Sequence, residues 1–168
     1  MHVQVVNSKN MGEVAVSSSR IREALIAGQI ENVNQMLGRN YRIYGSVFPG
    51  KKMGRSIGFP TMNLDWSPEA RPAYGVYAGQ VKNLNKGVVL PAVANYGMRP
   101  TVEDEADLPK LEIHVLEDLD ERDWGYDAEI EMSLEFFIRS ESKFSSVEEL
   151  TDQISKDINK AKTLLSIP

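Results

Sequence analysis

Glu129-Ile130-Glu131-Met132-Ser133-Leu134-Glu135-Phe136-Phe137-Ile138 is the stretch from which the fold is read. Ile130, Met132, Leu134, Phe136 and Ile138 alternate with Glu129, Glu131, Ser133 and Glu135. Side chains of an extended chain point to opposite faces in turn. This period of two therefore predicts a strand with one face in a core and the other in water. Leu111, Ile113 and Val115 alternate in the same way with Glu112 and His114. Tyr41 to Val47, Gly75 to Val81 and Val88 to Tyr96 are rich in β-branched and aromatic residues and predict further strands, and a strand-like run follows Pro60. Beyond the last strand, Ser146-Val147-Glu148-Glu149 is a capping box, with Ser146 as N-cap and Glu149 three residues on. Val147, Leu150, Ile154, Ile158, Ala161 and Leu165 then recur at helical spacing and predict an amphipathic helix laid on one face or end of the sheet. Roughly six antiparallel strands with a late helix predict a mainly β fold, a closed or nearly closed six-stranded antiparallel barrel flanked by a C-terminal helix.

Ahead of the strands, Ser17 to Gly28 reads as a helix, with serines to cap its start and Gly28 to end it. A second short helix is predicted over Glu31 to Leu37, stopped by Gly38. The expected division is an N-terminal helical appendage, residues 1–39, and a barrel domain, residues 40–168. At 168 residues, 42% hydrophobic and 26% charged, the chain has the composition of an ordinary soluble domain. Its net charge of −5 argues against broad binding to nucleic acid or to anionic membrane. There are no cysteines, which excludes disulfides, thiolate metal sites and cysteine nucleophiles. Met1 to Asn10 lack the basic-then-apolar pattern of a signal peptide, and no apolar run approaches the length of a membrane span, so a cytoplasmic protein is expected.

The chemistry points to Phe48 to Leu64, Phe-Pro-Gly-Lys-Lys-Met-Gly-Arg-Ser-Ile-Gly-Phe-Pro-Thr-Met-Asn-Leu. Gly50, Gly54 and Gly58 recur every fourth residue, with Lys51, Lys52 and Arg55 among them. Glycines let backbone N–H groups approach a ligand, and cations answer phosphate charge. Thr61 and Asn63, two apart in an extended chain, point to the same side. Both offer hard oxygens of the kind Mg²⁺ accepts beside phosphate. The loop reads as a triphosphate cradle with a metal-binding lip, and equally as a glycine-rich hairpin connection with solvated lysines. It is not the common P-loop, because Lys52 stands where Ser or Thr belongs and Pro60 prevents a following helix.

Gly50 to Leu64 resembles the riboflavin kinase signature G-x-x-x-G-R-x-x-G-F-P-T-A-N, departing from it at Met62. The resemblance continues through Asn95-Tyr96-Gly97-Met98-Arg99-Pro100-Thr101, Leu111-Glu112-Ile113-His114 and Arg139-Ser140-Glu141-Ser142-Lys143-Phe144, in the family's order. It implies a barrel of the predicted kind and an enzyme that takes ATP, Mg²⁺ and riboflavin to FMN, with no nucleic-acid or membrane partner, and a monomer is expected. By the same resemblance Gly50, Lys51, Lys52, Gly54, Arg55, Ile57, Gly58, Pro60, Thr61 and Asn63 serve the nucleotide, with Thr61 and Asn63 toward the metal. Asn95, Met98, Arg99 and Arg139 serve the flavin. Trp124 and Tyr126 are candidates to stack on its ring, although burial in a core is the commoner fate of a single aromatic and Trp124-Gly125-Tyr126 departs from the family's Leu-Tyr-Gly. Glu112 is the implied general base; alternation alone leaves it an outward-facing surface glutamate. His114 is not assigned as a base.

Val16-Ser17-Ser18-Ser19-Arg20-Ile21-Arg22 is also similar to the S-S-T-x-I-R motif that ends the adenylyltransferase module of bifunctional bacterial FAD synthetases. That module's H-x-G-H motif is absent, so residues 1–39 are expected to be its remnant and the chain is expected to make no FAD from FMN. Two other readings stand beside a monofunctional kinase. One is a flavin-binding regulatory protein on the same fold, and the other is the kinase part of a bifunctional enzyme. Intact Thr61, Asn63 and Glu112 favour the enzyme, since a sensor needs no such trio.

Overall fold

The computed structural model describes residues 10–11, 14–49, 53–66, 69–98, 109–117 and 124–167. Two short strands, β1 (Asn10–Met11) and β2 (Val14–Ala15), pair antiparallel ahead of two helices, α1 (Ser18–Ile26) and α2 (Ile30–Leu37). Six further strands follow: β3 (Tyr41–Phe48), β4 (Met62–Leu64), β5 (Gly75–Asn83), β6 (Val89–Gly97), β7 (Lys110–Val115) and β8 (Glu129–Ser140). One helical turn, α3 (Met53–Ser56), sits between β3 and β4, and the long helix α4 (Val147–Leu164) ends the chain. The six strands close into the antiparallel barrel that the sequence predicts, in the order β3-β4-β7-β6-β5-β8. No helix among the described residues is long and apolar enough to cross a membrane.

Closure makes two apolar clusters. The barrel interior holds Ile43, Val47, Tyr77, Val81, Tyr96, Leu111, Ile113, Ile130, Met132 and Leu134, all buried. Leu25, Ile30 and Val33 of the N-terminal helices pack into the same cluster. Gly28, with φ +73°, makes the turn between these helices, and a Cβ there would press on the Phe137 ring. The second cluster, Val76, Ala78, Val93, Ile138 and Ala161, lies on the outside of the barrel and is covered by α4.

That outer cluster corrects the simple alternation read along β8. The β5–β8 register shifts between Val76 and Tyr77 and again between Ala78 and Gly79. Leu134 stands opposite Gly79, Phe136 opposite Ala78, Phe137 opposite Tyr77 and Arg139 opposite Val76, so Glu135 and Ile138 are extra residues. Each bulge turns the pleat over. Ile130, Met132 and Leu134 point into the barrel as predicted. Phe136 and Ile138 instead face outward toward α4, and Phe137 turns in, its ring 5.0 Å from that of Tyr77.

The helix caps follow the sequence signals. Ser17 Oγ accepts from Arg20 N at 3.3 Å, and Gly38 closes α2 in the left-handed region. At α4, Ser146 Oγ accepts from Glu149 N at 3.1 Å, while the Glu149 carboxylate accepts from Ser145 N and Oγ at 2.9 and 2.6 Å. Those bonds to Ser145 hold the Glu149 carboxyl below its ordinary range.

Candidate active site

Directly opposed residues on neighbouring strands show their side chains on one face. The pairings Asn63–Glu112, Glu112–Asn95, Asn95–Val76 and Val76–Arg139 therefore draw one row across β4, β7, β6, β5 and β8. Leu111 and Ile113 go to the barrel interior, so this row lies on the outer face. A cavity of about 360 Å³ opens over it, within the range of small-ligand sites. Its floor is Val76, Val93, Asn95, Glu112 and His114, and its roof is the inner side of α4, with Leu150, Ile154, Asp157 and Ile158. Gly54, Ile57, Phe59 and Thr61 close it beside β7, and Arg139, Glu141, Ser142 and Phe144 close it beside β8.

The residues beside β7 form a tight knot. Phe59 N donates to Gly54 O at 2.8 Å, and Gly58, at φ +88°, reverses the chain. A Cβ on Gly54 would run into the Phe59 carbonyl and lie 3.3 Å from Thr61 Oγ1, so only glycine leaves that hydroxyl open. His114 Nδ1 lies 2.8 Å from the Pro60 carbonyl oxygen, and its ring meets Phe59 edge-on with centroids 5.8 Å apart. Since a carbonyl only accepts, Nδ1 carries the proton.

Beside β8, Arg139 is held on every side. Its Nε donates to both Asp157 oxygens at 3.0 and 2.9 Å, a terminal nitrogen lies 2.8 Å from Asp157 Oδ2, and another donates to Ser140 O at 3.0 Å. The guanidinium also stands 5.6 Å from the Phe144 ring centroid. Gln153 Nε2 donates to Asp157 Oδ1 at 2.9 Å. The Arg139–Asp157 pair thus matches cation with anion, Asp157 nearly out of water and Arg139 only partly exposed.

The structure brings most of the sequence candidates together. Gly54, Ile57, Thr61, Asn95, Met98, Glu112 and Arg139 all line the cavity. Asn63 is 7% exposed and flanks Glu112 in the row. Arg55 and Gly58 lie in the knot, and Pro60 contributes its carbonyl. Gly50, Lys51, Lys52 and Arg99 lie outside the described residues. Trp124 and Tyr126 are not brought to the cavity. Trp124 is buried in the barrel's core cluster, and Tyr126 is 53% exposed on a turn. Two aromatics in a long acidic loop were the signal for stacking, and for Trp124 the competing fate, burial in the core, is the one found. Sequence reasoning passed over Asp157. Its signal was a charge at a three-and-four spacing position, between Ile154 and Ala161, on the apolar stripe of α4.

The donor set suits a hard divalent cation beside phosphate. Thr61 offers an unobstructed hydroxyl, Asn63 an amide oxygen and Glu112 a carboxylate, all oxygen ligands. Mg²⁺ is commonly held by one or two protein groups, with phosphates and water completing its shell.

Comparison with known proteins fixes the family. The flavokinase model, described as riboflavin kinase, matches residues 37–165. The chain belongs to the riboflavin kinase family. It is similar to proteins named bifunctional riboflavin kinase/FMN adenylyltransferase. Identity to the Haemophilus influenzae protein is 40% over 151 residues, covering 90% of this chain and 47% of the relative. Identity to the Bacillus subtilis protein is 41% over 148 residues, covering 87% and 45%. The chain spans about half the length of the curated relatives it matches. Among solved structures it resembles a Streptococcus pneumoniae chain described as a macrolide-efflux protein, with a TM-score of 0.81, 27% identity, and coverage of 94% of this chain and 50% of that one. It also resembles riboflavin kinase from Trypanosoma brucei, with a TM-score of 0.50, 21% identity and coverage of 76% and 80%, a likeness of fold.

Proposed function

We propose that the chain transfers the γ-phosphoryl group of ATP to the 5′-hydroxyl of riboflavin, giving FMN and ADP, within residues 40–168. The observation that carries this reading is the row Asn63–Glu112–Asn95 beneath the cavity, with Thr61 and Gly54 at its edge. Phosphoryl transfer asks for positioned phosphates, charge compensation and an aligned nucleophile, and little covalent work from the protein. In this reading the glycine loop, with Lys51, Lys52 and Arg55, holds the triphosphate. Thr61 and Asn63 hold Mg²⁺, which when bound neutralises charge developing on the phosphates. Glu112, one strand from Asn63 and one from Asn95, accepts the proton of the riboflavin hydroxyl and aligns its oxygen. Asn95 and Met98, which line the cavity, take the flavin together with Arg99, and Arg139 borders it from β8. The apolar roof of Leu150, Ile154 and Ile158 excludes water from the reacting groups. No flavin role is assigned to Trp124 or Tyr126.

Incubation of the purified chain with riboflavin, ATP and Mg²⁺, under oxidising and reducing conditions, followed by chromatography of the flavins, tests this reading. FMN is expected to accumulate with ADP. Absence of FMN under both conditions would favour a flavin-binding protein without transferase activity.

A further inference from the structure

The knot Gly54 to Thr61 needs an anchor. The turn α3 packs only sparsely on the barrel strands among the described residues, and Pro60 and Thr61 are exposed. Proline also has no N–H with which to join a strand ladder. A side chain of β7 ties this segment to the barrel wall. His114 lies on the outer face of β7 two residues from Glu112, it donates from Nδ1 to the Pro60 carbonyl at 2.8 Å, and it takes Phe59 edge-on against its ring. The peptide whose oxygen it holds is the one that leads into Thr61.

From this geometry we infer that His114 is a positioning residue for the nucleotide and its metal. It fixes the Pro60–Thr61 peptide against the barrel wall, so that the Thr61 hydroxyl is presented to the cavity at a set distance from Glu112. This inference rests on the kinase reading of the cavity. Its role is the Nδ1 proton, which the neutral tautomer and the imidazolium both carry, so the tether does not require His114 to transfer a proton. Nε2, the nitrogen a base would use, has no hydrogen-bond partner among the described residues. A displacement of under an ångström at a site that holds phosphates is felt in binding and rate together.

Two variants separate this from a packing role. In His114→Asn the side-chain amide nitrogen can stand near the position of Nδ1 and keep the bond to Pro60, whereas His114→Leu fills similar space and cannot donate. His114→Leu should weaken Mg²⁺–ATP binding, measured by calorimetry without riboflavin, by about five- to tenfold, the effect of one lost hydrogen bond. The KM for riboflavin should move much less, and His114→Asn should restore ATP affinity to within about threefold of the parent chain. Equal affinity in all three proteins, or equal loss in Asn and Leu variants, overturns the inference. So does a parallel rise in both KM values, which marks a general loosening of the fold. Failure of the kinase reading is told apart by a readout that needs no activity. In ¹⁵N-resolved spectra the tether requires a protonated Nδ1 on His114, and Thr61 resonances that shift in His114→Leu and stay near parent positions in His114→Asn. A parent chain that makes no FMN yet shows these signals keeps the tether and loses the kinase. A chain whose Nδ1 is unprotonated loses the tether.

Discussion

At the residue scale, the cavity presents oxygen groups whose surroundings are set by what neighbours leave out. Thr61 keeps an open hydroxyl because residue 54 has no Cβ. Thr61→Ala should therefore leave the fold intact and lower turnover strongly, since the metal would retain water but lose its hold on the protein. Activity close to that of the parent chain at limiting Mg²⁺ would make Thr61 an ordinary strand-entry residue. Inside the barrel the logic is reversed. The Tyr96 hydroxyl is buried with no hydrogen-bond partner among the described residues, and its ring packs against those of Trp66 and Tyr74 at centroid distances of 5.1 and 5.2 Å. Burial, with Tyr74 nearby, pushes its phenol up to about 12, and Tyr77 is raised further still. The unfolded chain then gives up these protons from about pH 10, while the folded chain holds them, so stability falls between pH 10 and 12. Tyr96→Phe removes a buried orphan and should be neutral or stabilising by about 1 kcal/mol, with a shallower alkaline decline. Clear destabilisation in a denaturant titration would mean that the hydroxyl has a partner, such as a buried water.

At the element scale, α4 is both the roof of the site and the cover of the outer apolar cluster, and two devices hold it. One was plain in the sequence. Ser146 caps the helix as its S-x-x-E spacing predicts, and Ser146→Ala should cost about 1 kcal/mol. The other was not. The Arg139–Asp157 pair joins the end of β8 to the middle of α4, and Asp157 is 4% exposed. Asp157→Ala leaves a cation in a nearly dry wall and should cost about 3 kcal/mol, the low end for a broken buried pair because Arg139 keeps some contact with water. Replacing both residues with apolar ones of like volume should recover most of that stability, and a double variant no better than the single one would contradict this account of the loss. The strands themselves were legible, since alternation along β7 sorts Leu111 and Ile113 from Glu112 and His114 correctly. The bulges of β8 were not, because an extra residue changes face without changing composition, and Phe136 gives no local sign that it will turn outward. Nor could alternation say that an outward face is a site. Glu112 reads as a surface residue until the register sets Asn63 and Asn95 on either side of it and α4 above.

At the scale of the whole molecule, the barrel is a packed core rather than a container. Tyr77, Tyr96, Ile113, Ile130 and Leu134 fill it, and the cavity over Asn95 and Glu112 opens instead on the outer face, beneath α4. The packed core and the proposed site thus occupy opposite faces of the same strands. The central claim is that phosphoryl transfer takes place on that outer face with Glu112 at its centre. The turnover of Glu112→Gln, relative to the parent chain at saturating riboflavin and Mg²⁺–ATP, tests it most directly. The substitution keeps shape and leaves the barrel interior untouched, so stability should stay within about 0.5 kcal/mol. Loss of the base should lower kcat by about 10²-fold, near the low end for general bases because a loose transition state leans on position and charge, while KM for riboflavin changes little. A Glu112→Gln protein with undiminished kcat would contradict the account.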